Sequence, residues 1–131
     1  MEEPRGMEQM LIGCAYYQVR DFGKIRSLLL KLGEGNFFNV EEDDEKNMAI
    51  SGAVLQPYPK NHWNPFSKLP GAMQVAGGVS VTKDGMTVDA KTRSRLAGIR
   101  ELLEAELSDA IVFERDEFTD PLEEFRKKGK G

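Results

Sequence analysis

The chain is poor in the residues that most often announce a function. Cys14 is its single cysteine and His62 its single histidine. No intramolecular disulfide and no multi-histidine metal site can therefore form within one chain. Cys14 sits in the apolar run from Met10 to Tyr17, with no neighbouring positive charge to lower its pKa. It is expected to be a buried small apolar residue rather than a nucleophile. That run is too short to cross a bilayer or to act as a secretory signal behind an acidic amino terminus. The expectation is a cytoplasmic protein with no membrane partner. A phosphate loop ending in Gly-Lys-Ser/Thr, a Gly-x-Ser-x-Gly elbow and a Cys-x-x-Cys pair are all missing. No cofactor and no metal are expected. A net charge of −4 gives no support to non-specific nucleic-acid binding.

What the sequence does contain is the pattern of one folding unit. Its 131 residues are 40% hydrophobic, enough to bury a core without staples. Residues 1–8 are expected to be a flexible tail, 9–125 a single domain and 126–131 a frayed tail. Gln9 to Val19 reads as a strand, rich in apolar, aromatic and β-branched residues. Asp21 can cap a helix in which Phe22, Ile25, Leu28, Leu29 and Leu32 recur at helical spacing, with Gly33 as its stop. Leu30 falls outside that stripe. Phe37, Phe38 and Val40 suggest a short strand, and Met48 to Leu55 another, with Gly52 marking a bulge or a close backbone approach. Val79-Ser80-Val81-Thr82 and Met86 to Ala90 form a hairpin about Lys83-Asp84-Gly85. A helix follows from about Thr92 to Leu107, then a closing strand, Ala110 to Phe113. Val81, Val88, Leu96, Ile99, Leu103 and Leu107 are expected in the core.

Two helices with one apolar stripe each, and strands that alternate imperfectly, imply an α+β fold. The expected architecture is a largely antiparallel sheet of about five to six strands, with two amphipathic helices packed on one face. The other face would be covered by the 56–71 segment or by a partner. That segment carries four prolines in sixteen residues, which excludes a regular helix or a central strand.

Charge is segregated along the chain. Residues 41–45 are Glu-Glu-Asp-Asp-Glu, residues 83–100 carry a net +3 and residues 101–125 a net −9. The second helix begins with Lys91, Arg93 and Arg95 and ends with Glu104, Glu106 and Asp109, so both ends oppose the helix dipole. Lys91, Arg93 and Arg95 are therefore candidates for binding an anion. The competing expectation is that these cations pair with residues 41–45 or 114–124. Helical spacing puts Arg93 and Arg100 on one flank of the apolar stripe and Arg95 on the other, so they cannot all converge on one small ligand. Tyr58, His62, Trp63 and Phe66 are candidates for an interface, and His62 is the candidate catalytic acid or base. The acidic residues from Glu114 to Glu124 lack the spacing of a calcium loop.

The leading functional expectation is a non-enzymatic protein-interaction or regulatory module, since segregated charge steers protein association. A protein partner is favoured over nucleic acid, and a homo-oligomer is compatible with it. The alternative is a phosphate or nucleic-acid binder using the basic start of helix 2. A second alternative is a small enzyme using His62.

Overall fold

The structure is a computed structural model that describes residues 11–58 and 72–120. Its elements follow the chain as β1 (Ile12–Val19), α1 (Phe22–Glu34), β2 (Phe38–Asp44), β3 (Ala49–Pro57), β4 (Met73–Thr82), β5 (Gly85–Ala90), α2 (Arg93–Leu107) and β6 (Ile111–Thr119). A single 3₁₀ turn, Ser108–Ala110, joins α2 to β6. The six strands form one sheet in the order β2-β3-β4-β5-β1-β6. Every pairing in it is antiparallel. The fold is α+β, with both helices on one face of the sheet.

Local chemistry explains the helix starts. The Asp21 side chain accepts from the Lys24 backbone N–H, and that of Thr92 accepts from Arg95 N–H. Each thereby satisfies a donor that has no partner within the helix. No acidic residue occupies the first turn of α2 and no basic residue its last.

Strand alternation divides the sheet into two faces. On the helix-covered face, aligned residues run across the sheet in rows. One row is Ile50, Val81, Met86, Tyr17 and Phe113. Another is Gly52, Val79, Val88, Ala15 and Asp116. The third is Val54, Gly77, Ala90, Gly13 and Phe118. The small residues of the third row let α2 come close. A Cβ on Gly13 would lie 2.9 Å from Leu96 Cδ2, and one on Gly77 would lie 2.7 Å from Ile99 Cδ1. Val81, Val88, Leu96, Ile99, Leu103 and Leu107 are all buried in the shared core. Gly52 is a place of close approach, since a Cβ there would meet the Asn39 carbonyl oxygen at 2.2 Å. The β2–β3 register shifts beside it, between Val40 and Glu42.

Several details differ from the sequence expectation. α1 passes Gly33 and ends at Glu34, because Gly35 supplies the cap, its N–H reaching the Gly33 and Lys31 carbonyls. Leu30, placed outside the apolar stripe, is partly buried against the core. β2 continues into the acidic run as far as Asp44. Arg26 on α1 makes this tolerable, donating to both Asp43 carboxylate oxygens at 2.8 and 2.9 Å. That bidentate contact holds the Asp43 carboxyl below its ordinary pKa. Finally, β6 runs to Thr119 rather than stopping at Phe113.

Gly98 lies in the exposed interior of α2, and a Cβ there would meet nothing within 4 Å. Gly98→Ala is expected to stabilise the fold by about 0.8–1 kcal/mol, because alanine loses less backbone entropy in a helix. The check is a raised urea midpoint; an unchanged or lowered one contradicts the helix assignment.

Candidate functional site

The sheet face opposite the helices is lined by what the strands turn outward. Ser51, Ser80, Thr87 and Tyr16 stand in register across β3, β4, β5 and β1. Ala53, Gly78, Asp89 and Cys14 form the neighbouring row. Over the central strands these side chains are short, so the face is concave there and forms a depression of about 580 Å³. Among the described residues that line it on β1, β3, β4 and β5, Asp89 alone is charged, in a chain that is 31% charged overall. The Asp89 carboxylate is engaged within the fold: its Oδ1 accepts from Gly78 N–H at 2.9 Å, in the space that glycine leaves. Ile12 and Val75 lie at one end of the depression and are 45% and 58% exposed.

Charge surrounds this region. Lys91 and Arg95 line it where β5 passes into α2, and Glu41 lines it from β2. Arg115 and Glu117 stand in register beyond Tyr16 and Cys14. The Arg115 guanidinium lies 4.2 Å from the Tyr16 ring centroid. Both edge strands are charged and irregular, β2 through Glu41 to Asp44 and β6 through Glu114 to Glu117, and each pairs with its neighbour through a register shift. Charges and bulges of this kind discourage a further strand from adding to an edge.

The basic cluster at the start of α2 is divided. The Arg93 guanidinium stacks 4.2 Å from the Phe118 ring centroid, on the helix-covered side. Arg100 stacks 3.9 Å from Phe113, donates to the Tyr17 hydroxyl at 3.2 Å and forms ion pairs with Asp116 at 3.1 Å and Glu104 at 3.4 Å. Arg95 reaches the other way, to Gln74 Oε1 on β4 at 3.5 Å. Among the described residues, no ion pair involves Lys91, Arg93 or Arg95. The acidic run at 41–45 is instead met by Arg26, through Asp43 and, at 3.8 Å, Glu45. The acids of β6 do not gather, because alternation sends Asp116 to Arg100 and Glu117 to the opposite face, beside Tyr16.

These partners separate the roles of two arginines. Arg93→Gln is expected to be less stable than Arg95→Gln by about 0.5–1 kcal/mol, because it alone loses a cation–π contact while both relieve the helix dipole. Arg95→Gln is expected to be neutral or stabilising by up to about 1 kcal/mol, since it removes a cation from the positive end of a helix. Urea unfolding of the single variants distinguishes them. Equal losses would contradict this division.

Cys14 departs from expectation. It is not in the core; it is half-buried on the outer face, because Gly13, Ala15 and Tyr17 take the inward positions of β1. Burial pushes its thiol pKa up, Asp89 and Glu117 add to that, and a hydrogen bond with Tyr16 opposes it. A raised pKa leaves less thiolate for attack, the reverse of a nucleophile's setting.

Of the aromatic candidates, Tyr58 is the last residue described after β3, while His62, Trp63 and Phe66 lie outside the described residues. The sequence reading expected this face to be covered by the 56–71 segment or by a partner, and residues 59–71 lie outside the described residues; the depression itself was not foreseen. Its signal was the run of small residues at alternate positions, Ser51 and Ala53 on β3 and Gly78 and Ser80 on β4. Among the described residues, no helix is long and apolar enough to cross a membrane. Comparison with protein-family models, with curated proteins and with solved structures gives no match to the chain.

Proposed function

We propose that the protein is a non-enzymatic interaction module whose protein partner seats on the outer face of the sheet. One observation carries this reading: a concave, charge-poor floor of small side chains over the central strands, with charged residues around it. The solvated face of an antiparallel sheet is normally polar, and charged side chains are among those most often left exposed. An interface core, by contrast, is depleted in charge and has a polar rim. The charged, bulged edge strands favour docking on the face over strand addition.

Lys91 and Arg95, which make no ion pair among the described residues, also support the phosphate or nucleic-acid reading, as a second choice. Single-stranded nucleic acid would ask for aromatic rings free to stack. On this face the Tyr16 ring is already occupied by Arg115. An enzyme using His62 has no geometry to rest on, since that residue lies outside the described ones.

The test compares the parent with Ser80→Arg, which sets a long cation on the exposed floor, and with Glu101→Arg on the solvent side of α2. All three are used as bait in lysate of the source cells, with quantitative mass spectrometry and matched thermal melts. A discrete protein held by the parent and by Glu101→Arg, and lost by an equally stable Ser80→Arg, is the expected outcome. Identical capture by all three baits would overturn the proposal.

A further inference from the structure

The outer face has a directional charge pattern, and that pattern restricts its occupant. At the end where β5 meets α2, the rim holds Lys91 and Arg95, neither ion-paired among the described residues. The same end exposes Ile12 and Val75. The two other arginines of α2, Arg93 and Arg100, are turned away to β6, so they do not compete for a ligand on this side. The acid nearest the middle of the floor, Asp89, is already bonded to Gly78 N–H. Glu41 is across the depression on β2. The opposite end of the face differs: a smaller recess there is bordered by Asp84 and Glu114, with Arg115 stacked on Tyr16.

Resting on the reading of this face as a protein-docking surface, we infer that its occupant is an amphipathic segment of a partner protein carrying carboxylates beside apolar side chains. The carboxylates meet Lys91 and Arg95, and the apolar side chains lie on the small-residue floor next to Ile12 and Val75. Two cations held at one rim fix the direction in which such a segment lies, because reversing it would bring its acids to Asp84 and Glu114. The cations also stand at the amino end of α2, whose positive dipole end adds to the attraction for a carboxylate. That explains why a helix would keep cations at its positive end: their cost in the free protein is offset when an acidic segment binds. The first turn of α2 is thus read as part of a larger docking face, with the depression as its main feature.

The experiment uses a random dodecapeptide phage library, selected separately on the full-length parent, on Lys91→Glu/Arg95→Glu and on Ser80→Arg. The double variant is expected to fold, since it places acids where the helix dipole favours them. Peptides enriched on the parent should combine Asp or Glu with Leu, Ile, Val or Phe. The best of them, made synthetically, should bind the double variant about tenfold or more weakly, and selection on that variant should favour Lys and Arg instead. Ser80→Arg should lose these peptides too. If Ser80→Arg abolishes binding while the double variant keeps the same peptides, the docking face stands and the charge inference is overturned. If peptide binding survives Ser80→Arg, or no peptide is enriched on the parent, the docking face itself fails and the inference goes with it.

Discussion

Gly77→Ala is expected to destabilise the protein by about 3 kcal/mol or more, the upper end of what overpacking a close-packed interior costs. A Cβ at this position would lie 2.1 Å from the Asp89 carbonyl oxygen and 2.7 Å from Ile99 Cδ1. The second contact could be relieved by a side-chain rotation. The first is with backbone of the adjacent strand, and relief there means moving β5 away from β4. Gly77 also lies at an irregularity, since the β3–β4 register shifts between Val54 and Leu55 and leaves Ala76 as the extra residue. Alanine is therefore refused for want of space. Urea unfolding of Gly77→Ala beside the parent is the check, with Gly98→Ala as the opposite control. A Gly77→Ala midpoint equal to the parent's would show that the strands are not packed as described.

Leu103→Ala is expected to cost about 2–5 kcal/mol. Leu103 is 1% exposed and lies on the α2 stripe with Leu96, Ile99 and Leu107, all buried against the sheet. Removing its branched end deletes apolar contacts and leaves a cavity, because a helix already pressed onto a row of glycine and alanine has little room to collapse further. Chemical denaturation measures the loss. A variant as stable as the parent would mean that α2 does not present this side to the sheet. The loss at Leu103 should exceed any at the neighbouring Leu102, which is 38% exposed.

Much of the architecture was legible because it is written in local periodicity. The α1 and α2 stripes recur at helical spacing, and Asp21 stands where a capping side chain is needed. The hairpin about Lys83, Asp84 and Gly85 was legible for the same reason: alternating apolar residues flank a turn. The rest of β6 was not legible. Its segment from Glu114 to Glu117 looks solvent-bound, because the position that alternation turns toward the helix layer is Asp116. Arg100 on α2, 16 residues earlier in the chain, donates to that carboxylate. A hydrophobic pattern cannot register a charge met by an opposite charge from another element. β2 is a similar case, with Asp43 held by Arg26.

The candidate site divides along the same line. Lys91, Arg93 and Arg95 stood out in the sequence because their order opposes a helix dipole, and the structure places Arg93 on Phe118 while leaving Lys91 and Arg95 beside the depression. The depression itself needs four strands brought into register from residues 12 to 89, and no local signal specifies which rows align. By itself the sequence determined the two helices, the Asp21 cap, most strands and core positions such as Val81, Val88, Leu96, Ile99, Leu103 and Leu107, since each depends on spacings within one or two turns of chain. Only the tertiary structure decided the strand order, the partners of the arginines and which small residues share a face. Those depend on register between distant segments, and period-two alternation says which residues lie together on one strand but not which strand lies beside it.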